Sequence, residues 1–364
     1  VTTYLLAGGG TAGHVNPLLA VADRLRERDP TAEILVLGTR EGLEARLVPD
    51  RGYELLTIDR LPFPRRPNRA ALAFPGRLRR AIAEVRVILR DRGVDVVVGF
   101  GGYAAAPAYF AARDESVALA LHEANARPGI ANRLGARFTR FVGVAFRGTR
   151  IRGATWVGMP LRPEIERLDR FEARREGIRH FDLAADKPTL LVTGGSSGAR
   201  RINDTVSQSI TRILGAGWQV IHVTGELRDE VADPGLVGYR VLKYSDRMDL
   251  ALAVADLALS RAGTSTVAEL EALGVPAVFV PYAAGNGEQR FNASGAVAAG
   301  GAVMVADAAF TPHWVASALV PLLRSRATVA DMAARMATIG TLDGTDRMIA
   351  LVDAALAAGP QRAK

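Results

Sequence analysis

The chain has 364 residues, of which 49% are apolar, a formal net charge of +8 and no cysteine. That length suits two domains better than one core, and the apolar content is ample for burial, so an intrinsically disordered chain is excluded. Disulfides and thiolate metal sites are excluded with the cysteines.

Lys187, Lys243 and Lys364 are the only lysines, so the basic excess is arginine. Aromatic residues are few and no recognition motif is present, so nucleic acid is not an expected partner. The first residues run directly into an apolar strand without a basic leader, and no secretory signal is expected. Residues 96–112 carry no charge, but Gly101-Gly102 and Pro107 interrupt them. They read as a strand followed by a helix, not a membrane span.

In chain order, short apolar runs alternate with helix-length segments. Strands are expected at about 3–7, 33–38, 54–58, 95–100, 117–122, 140–144 and 155–158. A second set follows at about 189–193, 218–223, 239–243, 256–259, 276–280 and 302–306. The alternation predicts an α/β protein with parallel sheets covered on both faces. A joint is expected near Gly158-Met159-Pro160, giving domains 1–159 and 160–342. A last helix, about 344–358, repeats Met348, Leu351, Val352, Ala355 and Leu356 at helical spacing. It is assigned, within 343–364, to the first domain.

Two glycine-rich turns follow strands and open onto helices: Gly8-Gly9-Gly10-Thr11-Ala12-Gly13-His14 and Gly194-Gly195-Ser196-Ser197-Gly198-Ala199-Arg200. Glycine lets a backbone approach a ligand, and a helix N-terminus favours an anion. The first turn departs from the dinucleotide fingerprint and from the Walker pattern. A neutral His14 there can accept a proton or bind a hydroxyl; equally, it can simply pack the turn. Strand 117–122 ends in His122-Glu123-Ala124-Asn125, polar groups that need partners if buried. Glu123 either orients a base, serves as one, or holds the loop by a salt bridge. The stretch Ser260-Arg261-Ala262-Gly263-Thr264-Ser265-Thr266-Val267-Ala268-Glu269 offers hydroxyls and N–H groups suited to a diphosphate. Glu269, farther along the helix, can accept both hydroxyls of a ribose; the alternative is a capped helix with a solvent-facing glutamate. The polar run from Tyr282 to Asn292 can read a sugar or be a surface loop.

The ordered set of these motifs, with Gly101-Gly102-Tyr103, Gly158-x-Pro160-x-Arg162 and Glu288-Gln289-x-x-Asn292-Ala293, resembles the MurG family of peptidoglycan N-acetylglucosaminyltransferases over essentially the whole chain. The resemblance implies a GT-B fold, two Rossmann-like domains with the active site in the cleft between them. It implies inverting transfer of N-acetylglucosamine from UDP-N-acetylglucosamine to the 4-hydroxyl of the muramyl sugar of lipid I, giving lipid II. By motif match the uracil falls near Ser245 to Met248, the ribose on Glu269, and the diphosphate near Ser196 and the run Thr264, Ser265, Thr266, Val267 and Ala268. Gln289 matches a donor-sugar contact, Arg162 and Asn125 further donor contacts. Thr11, Ala12 and Gly13, matched to UDP-N-acetylglucosamine binding, close with His14 over the reacting centre from the other domain. Ala12 stands where many members have glycine. Glu288 replaces a glutamine of some members, and Ser245 a larger apolar residue, so their donor contacts differ.

His14, assisted by Glu123, is the candidate base. No Asp-x-Asp is present, so no metal or other cofactor is expected; helix N-termini and an arginine are expected to meet the leaving charge. Residues 60–92 interleave arginines with apolar residues, including Leu61 and Ile82, and the expected patch for anionic lipid is Phe63, Arg65, Arg66, Leu72, Phe74, Arg77, Leu78, Arg79 and Arg80. A solvated helix face reads the same way, and the lipid substrate favours docking. The implied place is the cytoplasmic face of the bacterial plasma membrane, with cell-wall synthesis and division proteins as partners. The alternatives are another GT-B UDP-sugar enzyme (a glycolipid synthase or epimerase), an NAD-dependent oxidoreductase, and a non-catalytic membrane scaffold.

Overall fold

The computed structural model describes residues 1–64, 69–195, 198–225, 231–282 and 287–360. The chain divides into two compact units, Val1–Arg162 with Asp343–Lys364, and Pro163–Leu342.

The first unit is built on seven strands: β1 (Thr3–Gly8), β2 (Glu33–Gly38), β3 (Glu54–Thr57), β4 (Val96–Gly101), β5 (Ala118–Glu123), β6 (Val142–Val144) and β7 (Ala154–Trp156). They form one parallel sheet in the order β3-β2-β1-β4-β5-β6-β7. Its helices are α1 (Ala12–Arg28), α2 (Glu44–Asp50), α3 (Arg69–Asp91), α4 (Ala105–Asp114) and α5 (Ile130–Gly135). Alternate strand residues serve opposite faces. Leu6, Val36, Val98 and Ala120 join one core with α1 residues, and Leu5, Leu35, Val97 and Leu121 join another with α3 and α4 residues. Because both faces are covered, the strands read as continuous apolar runs.

The C-terminal helix Gly344–Ala358 belongs to this unit because Met348, Ile349, Val352 and Ala355 complete the α1 core. Its outer side is tied to α1 by ion pairs of Arg24 with Asp346 and of Arg28 with Asp353. The unit boundary falls after Arg162, a few residues beyond the expected joint. Gly158 and Met159 are held in the first unit: His122 Nε2 donates to Gly158 O at 3.0 Å, and Gly344 packs on the Met159 backbone so closely that a Cβ there would lie 2.3 Å from Met159 O.

The second unit has six parallel strands, β8 (Thr189–Thr193), β9 (Gln219–Val223), β10 (Tyr239–Leu242), β11 (Ala255–Ser260), β12 (Ala277–Phe279) and β13 (Ala302–Met304), in the order β10-β9-β8-β11-β12-β13. Helices α6 (Arg170–His180), α7 (Arg200–Leu214), α8 (Met248–Val254), α9 (Thr264–Ala272) and α10 (Glu288–Asn292) connect or precede them. Leu190, Val192, Val220, Leu257 and Val278 share a core with Ile202, Val206 and Ile213 of α7.

Candidate active site

In each sheet the strand order reverses next to the first strand of its unit, between β1 and β4 and between β8 and β11. At such a point the loops leave in opposite directions and open a crevice at the carboxyl ends of the strands. All the polar motifs singled out after β1, β4, β8 and β11 lie there.

In the first unit, β1 ends in Gly8 and the turn passes through Gly10 at φ +91°, while β4 ends in Gly101 and is followed by Gly102, at φ +85° and +87°. A Cβ on Gly102 would sit 2.4 Å from Gly9 O, so the two turns touch backbone to backbone. Thr11 is the N-cap of α1 and exposed, and Ala12 and Gly13 are half-buried behind it. His14 Nδ1 lies 3.2 Å from Gly9 O and 3.3 Å from Thr11 Oγ1. A carbonyl can only accept, so Nδ1 carries the hydrogen of that bond and Nε2 of the neutral ring keeps its lone pair. Nε2 lies beside Gly101, 3.2 Å from where a Cβ would stand. The ring is therefore oriented as a proton acceptor should be.

Glu123 is buried at the end of β5. Oε1 accepts from the Asn125 backbone N at 2.8 Å and Nδ2 at 3.3 Å, and Oε2 accepts from Gly129 N at 2.9 Å and Asn132 Nδ2 at 2.9 Å. Both oxygens are engaged, so of the expected roles the geometry favours orientation over proton abstraction. The loop is held through amide groups where a salt bridge was the plainer expectation. Asn132 also donates to His122 O at 3.0 Å and accepts from Tyr109 OH at 2.6 Å. Burial raises the Tyr109 phenol well above its usual range, keeping it a donor. Burial also pushes His122 down to about 4, so its ring is neutral at physiological pH. The Asn132 amide reaches within 3.4 Å of the same Cβ position at Gly101 that His14 Nε2 approaches, so the Glu123 network and His14 meet there. Asn125 and Arg162 are half-buried, Arg162 as the last residue of its segment.

The sequence reading missed Glu44. It is fully buried at the start of α2, and its carboxylate accepts from Gly10 N at 2.8 Å, Thr39 N at 2.9 Å and Thr39 Oγ1 at 2.8 Å. The sequence offered little signal: Glu44 follows Gly38 and Gly42 but has Glu41 as a second acidic residue beside it, and only the fold brings Gly9 and Gly10 to the same place.

In the second unit a cavity of about 810 Å³ opens at the β8–β11 crevice, lined in part by Gly194, Gly195, Ala199, Gly263, Thr266 and Gln289. The turn after β8 needs its glycines: a Cβ on Gly194 would meet Ala199 N at 2.4 Å, and Gly195 and Gly198 have φ +81° and +69°. The helices α7 and α9 begin on Ala199 and Gly263, which have no side-chain oxygen to cap them, and neither helix has an acidic residue in its first turn. By contrast α6 is capped by Asp169, which accepts from Phe171 N and Glu172 N. Two helix starts on one cavity whose N-cap residues supply no side-chain cap suit an anion such as a diphosphate.

Thr264 is buried and Ser265 half-buried on the first turn of α9, followed by buried Val267, Ala268 and Glu269. Thr266 lines the cavity; Thr264, Ser265 and Glu269 stand outside its lining. Glu269 is thus not the solvent-facing residue of the plainer reading. Gln289 Oε1 accepts from Tyr282 N at 2.8 Å and Ala262 N at 3.2 Å. Both partners are donors, which fixes the amide orientation and turns Nε2 away from them. Glu288 is the half-buried first residue of α10. Arg261 Nη1 donates to Val280 O at 2.9 Å and to Asp307 at 2.5 Å, so this arginine braces the cavity wall. Ser245 is buried before α8, beside a second cavity of about 260 Å³ that it shares with Tyr244, and Met248 opens α8. Ser196 lies outside the described residues.

Of the expected lipid patch, Leu72 is 84% exposed near the start of α3, with Arg77, Arg79 and Arg80 exposed beyond it. Phe63 and Phe74 are half-buried with ring centroids 5.3 Å apart, and Leu78 is half-buried. Leu61 is buried and Ile82 packs against the core, so these two belong to the interior. Arg65 and Arg66 lie outside the described residues. Among the described residues, no helix is long and apolar enough to cross a membrane.

Two parallel Rossmann-like units, each with a glycine-turn crevice at its switch point, make up the GT-B fold. Residues 4–144 match the glycosyltransferase family 28 N-terminal domain and residues 189–348 the family 28 C-terminal domain. A UDP-N-acetylglucosamine–N-acetylmuramyl-(pentapeptide) pyrophosphoryl-undecaprenol N-acetylglucosamine transferase of Leifsonia xyli subsp. xyli is 65% identical, covering 98% of this chain and 100% of that one. The transferase of the same name from Clavibacter sepedonicus is 59% identical, covering 100% and 99%. The crystal structure of MurG from Acinetobacter baumannii matches with a TM-score of 0.80 at 28% identity, over 97% of this chain and 100% of that one. The chain belongs to glycosyltransferase family 28, among its UDP-N-acetylglucosamine–N-acetylmuramyl-(pentapeptide) pyrophosphoryl-undecaprenol N-acetylglucosamine transferases.

Proposed function

We infer that this protein transfers N-acetylglucosamine from UDP-N-acetylglucosamine to the 4-hydroxyl of the muramyl sugar of undecaprenyl-pyrophosphoryl-MurNAc-pentapeptide, with inversion, releasing lipid II and UDP. The observation that carries this reading is the 65% identity over the full length of a transferase so named. The second unit holds the donor: the uncapped starts of α7 and α9 face the diphosphate, Glu269 the ribose, Ser245 to Met248 the base, and Gln289 Nε2 the sugar. Arg162 and Asn125 add donor contacts. In the first unit His14 Nε2 takes the proton of the attacking hydroxyl, and the Glu123–Asn132 network keeps the loop beside it in place. General-base assistance of this kind contributes roughly 10²–10⁴-fold. The leaving UDP is stabilised by fixed backbone dipoles, which need no reorganisation as charge develops, so the reaction needs no metal.

The acceptor is a lipid, and the exposed basic-apolar start of α3 supports peripheral docking on anionic lipid, at the cytoplasmic face where UDP-sugars are made. Transfer of radiolabel from UDP-N-acetylglucosamine to a short-chain lipid I analogue, with EDTA present, tests the whole reading. Label in a disaccharide lipid is expected. Label only in a free UDP-sugar epimer would favour the epimerase alternative, and loss of transfer with EDTA would remove the metal-free step.

A further inference from the structure

The two glycine turns differ in one respect that their sequences hide. In the second unit the turn opens onto a cavity, whereas in the first the N–H of Gly10, one residue before the N-cap of α1, is already given to an internal anion. The carboxylate of Glu44 fills that position: it takes Gly10 N through Oε2 and both Thr39 donors through Oε1. Three glycines are shaped around it. A Cβ on Gly9 would stand 2.2 Å from Glu44 Oε1, one on Gly42 2.0 Å from Oε2, and one on Gly38 2.5 Å from Cγ. Such close approach from three separate backbone positions leaves room for that side chain and no larger one. A carboxylate accepting backbone N–H groups forms charge-assisted bonds, stronger than neutral ones. Removing a buried acceptor leaves its donors unsatisfied.

We propose that Glu44 is a positioning residue for the transfer reaction: an internal anion, standing where a phosphate stands in other glycine turns, that fixes the turn presenting Thr11 and His14. The chain of contacts is short. Glu44 holds Gly10 N; the same turn supplies Gly9 O, which orients His14 Nδ1 at 3.2 Å; and Gly9 is in turn packed on Gly102. Glu44 is fully buried and offers no exposed atom to a substrate, so its effect is expected on the orientation of His14 and not on donor binding. The proposal rests on the transferase reading for its activity arm.

The test is Glu44→Gln, which keeps the shape but sets an amide NH₂ against a backbone or hydroxyl donor. Its kcat should fall at least about tenfold, as expected when a reacting group is displaced by a fraction of an ångström. Donor KM and the affinity for UDP, measured by calorimetry, should stay within about twofold. Hydrogen exchange in residues 5–20 should accelerate while residues 189–195 and 255–272 keep wild-type rates. A folded variant with unchanged kcat would overturn the proposal, as would parallel losses of kcat and UDP affinity. If wild-type protein transfers no sugar, the transferase reading fails, and Glu44 is judged by exchange alone: unchanged rates in residues 5–20 overturn it. If Glu44→Gln does not fold, Thr39→Val replaces it, removing one donor from the same oxygen. It should lower kcat about threefold with UDP affinity intact, and no change in kcat would count against the role.

Discussion

His14 and Glu269 are expected to fail in different kinetic terms when replaced. With Nδ1 held by Gly9 O, the lone pair of His14 acts only as the hydroxyl attacks, so His14→Ala should lower kcat by about 10²–10⁴-fold with donor KM little changed. Glu269→Ala, on the proposed role, removes a ribose contact made before the transition state and should chiefly raise donor KM. Steady-state kinetics with UDP-N-acetylglucosamine as the varied substrate separate the two, and unchanged turnover in His14→Ala would dismiss it as the base. Glu271, two residues on, is a different case: burial pushes its carboxyl up to about 8. A raised value means that the folded state binds the proton more tightly than the unfolded chain. The neutral acid is accommodated below the ordinary carboxylate range, and stability is lost as pH rises from there through about 8. Glu271→Gln, neutral at every pH, should therefore raise the melting temperature of the second unit at pH 8 and flatten its pH dependence. Differential scanning calorimetry at pH 5 and pH 8 checks this; a lower melting temperature at pH 8 would contradict it.

The decisive elements are turns, whose geometry depends on partners far away in sequence. Gly102 follows β4, yet its lack of a side chain is required by Gly9 O after β1. Gly102→Ala meets both that contact and a left-handed backbone at φ +87°, and should cost about 10²-fold in kcat through displacement of the His14 turn. Gly76 is the control: it lies inside α3 with nothing within 4 Å of its Cβ position. Gly76→Ala should leave turnover unchanged and stabilise the protein by about 0.5–1 kcal/mol, because alanine is the better helix former. Paired assays of kcat and melting temperature on the two variants suffice, and equal kcat values would refute the contact. The strand positions themselves were legible from apolar runs, and all thirteen runs became strands. The expected strand 140–144 is shortened to β6, and 155–158 is displaced to β7, both bounded by the three residues through which they pair.

At the scale of the molecule, each unit buries a histidine beneath its sheet loops. His122 in the first and His222 in the second are both pushed down to about 4 by burial. His222 is held by Tyr239 OH at 2.8 Å and Asn203 Oδ1 at 3.1 Å. The unfolded chain protonates these rings near pH 6.5 and the folded units do not, so the unfolded state binds more protons between about pH 6.5 and 4. Stability should fall as pH drops through that window, by roughly 3 kcal/mol per histidine, and level off below it. Denaturation curves from pH 7 to 4, with His222→Gln flattening the acid limb of the second unit, check this; the same limb in variant and wild type would contradict it. The exposed arginines and Leu72 at the start of α3 give a second whole-molecule expectation. Binding to anionic vesicles should be lost with added salt and weakened by Leu72→Glu, measured by cosedimentation.

The sequence by itself determined the two parallel sheets, the return of the last helix, the residue types at each crevice and, through the ordered motifs, the family. Those features are local: apolar runs of strand length, a helical stripe such as Met348-Val352-Ala355, and glycine where a backbone must turn. What only the tertiary structure decided was which groups are already committed. Glu123 spends both oxygens on loop amides, Gln289 spends its carbonyl on Ala262 and Tyr282, and Glu44 fills a glycine turn that by sequence was open to phosphate. A contact between 9 and 102 depends on β1 and β4 lying side by side in an order the chain does not write consecutively, and a hydrogen bond between residues 10 and 44 on β2 returning parallel to β1. The local sequence specifies a side chain's chemistry, and the fold specifies which of its lone pairs remain for a substrate.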